Sequence, residues 1–266
     1  THPAISALMK SFQTDRLRDP RPNVPQWNLA LVLESLTKPP YEPLESCSLR
    51  IITLKTFFLT YLAAGRRRGD MLAMQYDRTT WYQDGLVAHL QPYRGYIPKT
   101  PQCAEGQSRY SPVIIRSLHP MIGSNREEPE FFLCPLRALQ IYMDKTKDRR
   151  NTASRLFINH QTTKGDKPPH PNTASAWVRA VVKEAYILAG QDMELSGRHQ
   201  VRAHEVRALS ASLAAHATYS MDQLLANCCW SSHTVFTDYY LRDITGIRGG
   251  LHTLGSIAVA GTLVTL

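Results

Sequence analysis

No run of apolar residues in this 266-residue chain approaches the ~20 that a membrane-spanning helix requires, and no apolar leader-like segment follows Thr1. The expectation is a chain without a membrane partner, intracellular, and nuclear if the host is eukaryotic. Cysteine is scarce as well. Cys47, Cys103, Cys134, Cys228 and Cys229 are odd in number and form no C-x-x-C pair, which argues against a disulfide framework or a zinc knuckle. The chain also lacks the Asp/Glu cluster of a two-metal site, so no metal and no other cofactor is expected. Acidic residues are the minority charge: 22 Asp+Glu face 31 Lys+Arg, a formal net charge of +9. Such an excess favours a polyanionic partner, nucleic acid or an anionic surface, with an unengaged basic surface as the alternative.

What is present suffices for a core, since 43% of the residues are hydrophobic. Residues 1–26 include DPRPNVP and little apolar periodicity, and read as a linker or arm. A start at Thr1 so near a Pro-rich stretch suggests a domain excised from a longer polypeptide. The folded body, 27–245, begins near Trp27. WNLALVLESL has helical spacing and stops before Pro39-Pro40; Ser46 to Ala64 predicts a second helix, capped by Ser46 and buried on most faces. It runs into Gly65-Arg66-Arg67-Arg68-Gly69-Asp70, which places three arginines at a tight turn between buried helices. Thr79 to Tyr82, Leu86 to Leu90 and Ser111 to Ile115 are β-prone, with Asp84-Gly85 as a hairpin signal. Beyond Pro135 the pattern is helical again: PLRALQIYMDKTKDRR, a polar loop at 162–172, TASAWVRAVVKEAYILAG, then helices over 203–216, 221–229 and 233–243. The fold class expected is mainly α with a small antiparallel three-stranded sheet, an α+β arrangement. The tail at 246–266 ends in LGSIAVAGTLVTL, too short to span a bilayer, so it either folds back on its own domain or docks on a neighbouring protomer.

The segment from His204 to Arg242, HEVRALSASLAAHATYSMDQLLANCCWSSHTVFTDYYLR, carries the chemistry. His204 and Arg207 share one face of a predicted helix and can reach one phosphate. By itself an H-x-x-R is explained equally well by a solvated helix face, and Trp230 by a core aromatic. The combination weighs more, because Arg67 in AAGRRRGDML and Lys99 in GYIPKTPQ add cations upstream.

These segments resemble the catalytic domain of the tyrosine recombinases, the family of the phage integrases, Cre and the Xer proteins. AAGRRRGDML matches the family's first-arginine junction, with Arg67 at the arginine and Asp70 at the acidic position. Lys99 stands in the hairpin loop before the third strand, where the family has its lysine. His204-x-x-Arg207 matches its H-x-x-R, and Trp230 its His-or-Trp position. PLESCSLRIITLKT, CPLRALQIYMDKT, RLFIN and WSSHTVFTDYYLRD are similar to recombinases of the DIRS-like tyrosine-recombinase retrotransposons. The wording around the tyrosine pair selects Tyr240 as nucleophile; the spacing from the His/Trp position in Cre and the Xer proteins selects Tyr239.

The resemblance implies a DNA strand transferase that integrates or excises a mobile element through a 3′-phosphotyrosine link, without metal or ATP. Arg67, Lys99, His204, Arg207, Trp230 and Tyr240 would be catalytic, with Asp70 orienting Arg67. Arg66, Arg68 and Arg94 would contact the DNA backbone or lie on the surface. Double-stranded DNA and a homo-oligomer, a tetramer on DNA joined through the C-terminal tail, are the implied partners. The family's N-terminal DNA-clamping domain has no counterpart in residues 1–26. A catalytically silent, recombinase-derived DNA-binding module is the competing expectation, and a type IB topoisomerase the third.

Overall fold

Asn28 Oδ1 accepts the Leu31 N–H at 3.3 Å and starts α1 (Leu29–Leu36), which buries Leu29, Val32, Leu33 and Leu36 at helical spacing. The computed structural model describes residues 25–98, 112–118, 129–150, 155–161, 168–191, 201–216, 220–230 and 232–244. The arm before Pro25, Lys99 and the C-terminal tail lie outside the described residues. The next helix, α2 (Leu49–Ala64), starts at Ser48 rather than at the expected Ser46. Ser48 Oγ accepts the Ile51 N–H at 3.4 Å, whereas Ser46 closes a 3-10 turn and donates its hydroxyl to Pro43 O at 3.0 Å.

Every residue of α2 from Ile51 to Ala64 is buried, as its almost unbroken apolar sequence predicts. It is the axis of the molecule, packing on α5 (Pro135–Lys145), α6 (Pro171–Leu188), α7 (His204–His216) and β3 (Val113–Arg116). A helix enclosed on all sides must satisfy its polar side chains internally. Thr53 and Thr60 bond back to Leu49 O and Thr56 O at 2.7 Å each. Lys55, with no exposed surface, donates to Leu36 O at 2.7 Å and pairs with Glu42. Glu42 also accepts Arg137 Nη1 at 2.8 Å and Nη2 at 3.2 Å, and Arg137 reaches Glu45 at 3.0 Å. Burial alone would raise the Glu42 carboxyl, but the Arg137 hydrogen bonds and the Lys55 charge together hold it below the usual carboxylate range.

Beyond α2, the short α3 (Arg68–Ala73) leads directly into β1 (Met74–Tyr82). With β2 (Val87–Pro92) and β3 it forms an antiparallel sheet of order β1-β2-β3. β1 begins at Met74, earlier than the expected Thr79; Met74 pairs with Pro92 across an irregularity that separates it from Thr79. Charged MQYDR conceals this half of the strand, because its alternation is broken where the register shifts. Gln83 and Asp84, both at φ 52, and Gly85 at φ 86 make the hairpin turn that Asp84-Gly85 announced. α4 (Pro129–Leu133) precedes α5. α6 begins at Pro171, inside the expected loop, because His170 Nδ1 accepts the Asn172 N–H at 3.2 Å and Pro171 is already set for a first turn.

The last three helices are α7, α8 (Met221–Cys228) and α9 (His233–Tyr239), the last ending at Tyr239 rather than at 243. α7 stands between two cores. Val206, Leu209 and Leu213 face the main one; Ala211 and Ala214 face a smaller one with Leu224, Leu225, Cys228, Trp230 and Phe236. The architecture is thus mainly helical with a small three-stranded antiparallel sheet, as the sequence pattern predicts. Among the described residues no helix is long and apolar enough to cross a membrane.

Candidate functional site

Gly65 sets the site's first corner. It ends α2 at φ +59, in the left-handed region, and donates its N–H to Tyr61 O at 3.2 Å. A Cβ there would lie 3.1 Å from Ser210 Oγ and 3.3 Å from Cys228 Sγ, so glycine lets the arginine turn close onto α7 and α8. Gly65→Ala is expected to cost about 2 kcal/mol, against about 1 for Gly190→Ala. Gly190 has φ +64 but meets no atom within 4 Å among the described residues. Equal losses in chemical denaturation would show that only the backbone conformation matters.

The three arginines of the turn diverge. Arg66 is buried and donates to Cys229 Sγ; Arg68 donates to Ser175 Oγ on α6. Arg67 is half-buried, and its backbone N–H donates to Asp70 Oδ2 at 3.2 Å. Asp70 holds the main chain at Arg67. Its Oδ1 accepts the Tyr96 hydroxyl at 2.6 Å, which ties the turn to the segment leading from β2 towards Lys99. Burial, then the bond to Asp70, push the Tyr96 phenol well above its ordinary value. Arg94 is exposed in the turn after β2.

Arg207 lies on α7 with no exposed surface. Nη2 donates to Cys228 O at 2.6 Å, and the guanidinium carbon lies 4.8 Å from the Trp230 ring centroid and 5.2 Å from that of Tyr240. Nε and Nη1 are buried without a hydrogen-bond partner, and so is Trp230 Nε1. None of the ion pairs among the described residues involves Arg207. The Trp230 and Tyr240 ring centroids are 4.7 Å apart. Burial pushes the Cys228 thiol above its usual range, against the opposing fields of Arg207, Arg66 and Arg67.

Tyr240 caps α9, its N–H bonded to Phe236 O at 2.9 Å. Ser212 of α7 donates to Tyr240 O at 3.3 Å and accepts the Arg242 N–H at 2.9 Å. Arg242 in turn pairs with Glu205 at 2.9 Å. Tyr239, the alternative nucleophile, is 40% exposed. His204, the first residue of α7, is exposed.

The structure therefore gathers Arg207, Trp230 and Tyr240 at the α7–α8 junction, with Arg67 in the turn after Gly65, which Asp70 supports. Sequence reasoning missed Tyr61, Tyr96, Ser212 and the Glu205–Arg242 pair. A tyrosine within the otherwise apolar α2 is the one signal that could have been used, since its polar tip needs a partner. Guanidinium and indole N–H groups are donors only, so what complements them is a hydrogen-bond acceptor. Among the described residues no group of three or more His, Cys, Asp or Glu side chains is placed to hold a metal ion. In comparisons with protein-family models and with curated proteins, no family model and no curated protein matches this chain.

Proposed function

We propose that this chain is the catalytic domain of a DNA strand transferase with the tyrosine recombinase fold. The observation that carries the reading is the buried Arg207 guanidinium, which has two unpaired N–H groups and lies beside the unpaired Trp230 indole N–H and the Tyr240 ring. A phosphodiester supplies the acceptors these donors lack. In the proposed step the Tyr240 hydroxyl oxygen attacks the phosphorus, the phenolic proton passes to His204, and the bond to the 5′ oxygen breaks. A phenol of pKa near ~10 needs that base at neutral pH. Arg67 and Arg207 neutralise the charge that grows on the non-bridging oxygens, and Trp230 adds a donor while its ring excludes water. Lys99 gives its proton to the departing 5′ oxygen. The 3′-phosphotyrosyl link keeps the bond energy, so another 5′-hydroxyl reverses the step without ATP.

The experiment is incubation with nicked suicide DNA carrying the ends of the element, followed by denaturing electrophoresis. A covalent protein–DNA adduct is the expected product. Its absence would favour a second reading, a silent DNA-binding module, for which one observation also speaks: Arg207 is fully buried, so no phosphate reaches it until Tyr240 moves.

Binding to duplex DNA should weaken steeply with salt under either reading. A footprint of about six phosphates predicts roughly a 10³-fold loss of affinity between about 50 and 200 mM salt, read by fluorescence anisotropy. An affinity that is flat across that range would exclude the basic surface as the DNA-binding face.

A further inference from the structure

The buried tyrosines of this fold divide into two kinds. Tyr41 donates to Glu184 at 2.9 Å, Tyr96 donates to Asp70, and Tyr142 accepts the Ile158 N–H at 2.9 Å. Tyr61 is different: its side chain is fully buried, and its hydroxyl has no partner among the described residues. The ring alone accounts for its packing, since it lies 5.6 Å from Phe57 within α2, a contact that phenylalanine would make equally well. An unpaired buried hydroxyl is destabilising, so packing does not explain the oxygen.

Tyr61 stands one turn before Gly65, where α2 meets Ser210 of α7 and Cys228 of α8, and Arg207 is bonded to Cys228 O at that junction. We propose that the Tyr61 hydroxyl is a further donor of the Arg207–Trp230 recess, contacting the same bound phosphate from the α2 side. The inference rests on the phosphodiester reading above for its substrate, but its geometry does not depend on that reading. Four unpaired buried donor positions then belong to the elements that meet at this junction: Arg207 Nε and Nη1, Trp230 Nε1 and the Tyr61 hydroxyl. Three side chains enter from α2, α7 and the end of α8, so an anion is held from more than one direction. The electrostatics agree. Burial raises the Tyr61 phenol well above its ordinary value; Arg207 and then Arg68 oppose that rise, and Tyr240 and Asp70 add to it. The hydroxyl therefore keeps its proton at neutral pH and acts as a neutral donor, never as the nucleophile.

Tyr61→Phe tests this by removing one oxygen and nothing else. Its thermal midpoint is expected to equal or exceed that of the wild type, because no existing hydrogen bond is lost. Its affinity for inorganic phosphate, followed by calorimetry, should fall about tenfold or more, and its rate of adduct formation on suicide DNA about a hundredfold. If the wild type binds phosphate, the variant binds it more weakly, and neither forms an adduct, the donor stands and the strand-transfer reading fails. Unchanged phosphate affinity together with an unchanged adduct rate overturns the proposal. So does a variant that fails to fold, because a hydroxyl that carries the fold is not a free donor.

Discussion

Tyr240→Phe should abolish the covalent adduct with suicide DNA, while Tyr239→Phe should change its yield by no more than a few-fold. The two residues are neighbours in sequence but occupy different environments. Tyr240 is bonded back into α9 through Phe236 O, and its ring rests on Trp230 and lies 5.2 Å from the Arg207 guanidinium carbon. Tyr239 is 40% exposed. Moving Tyr239 to the recess would require rotating the end of α9 by most of a helical step, about 100°. That rotation would break the Ser212 bond to Tyr240 O and disturb the Arg242–Glu205 pair. Loss of a nucleophile removes the intermediate itself, so the expected fall is to background, at least ~10³-fold. Adduct lost with Tyr239→Phe and kept with Tyr240→Phe would reverse the assignment and imply that α9 turns when DNA binds.

The second large effect concerns stability rather than chemistry. Glu42→Gln should destabilise the fold by about 3–5 kcal/mol, because it leaves the Lys55 ammonium buried without a counter-charge, with only Leu36 O and a neutral amide oxygen as acceptors, and leaves Arg137 with Glu45 as its one carboxylate. Denaturant titration near neutral pH measures it. The pH dependence supplies a check whose sign is fixed. Glu42 has a folded pKa held below its unfolded value, so its stabilising contribution is complete above the ordinary carboxylate range. It is lost as pH falls through the depressed folded value. The gap between wild type and Glu42→Gln should therefore narrow in acid. A gap that is constant from neutral pH downward would mean that the carboxylate charge contributes nothing and that shape alone matters at this position.

The framework of the fold was legible where a single local signal decides structure. The apolar run of α2, the Asp84-Gly85 turn and the amphipathic spacing of α6 each predict their element from neighbouring residues alone. Boundaries failed where two local signals compete, as at Ser46 and Ser48, both able to cap but only one with a hydroxyl not already given to Pro43. The Lys55–Glu42–Arg137 cluster was not legible at all, because it joins three parts of the chain through packing alone. Within the candidate site, Arg67, Arg207, Trp230 and Tyr240 were named through the family resemblance of the segments that hold them. Tyr61 and Tyr96 were not, because what distinguishes them is the place their hydroxyls reach in three dimensions.

α7 touches every part of that site. Glu205 holds Arg242, Arg207 holds the end of α8, Ser210 faces Gly65 and Ser212 holds Tyr240, while small residues along the helix let all four neighbours approach. The helix works as a camshaft: a slide or rotation of its axis displaces the arginine, the glycine turn and the tyrosine segment together. Substitutions at these positions should therefore combine non-additively, since each variant alters the register that the others depend on. Variation accumulating in this chain would then be tolerated in pairs across α7 more readily than singly, which makes the helix the unit on which change in the site is tested.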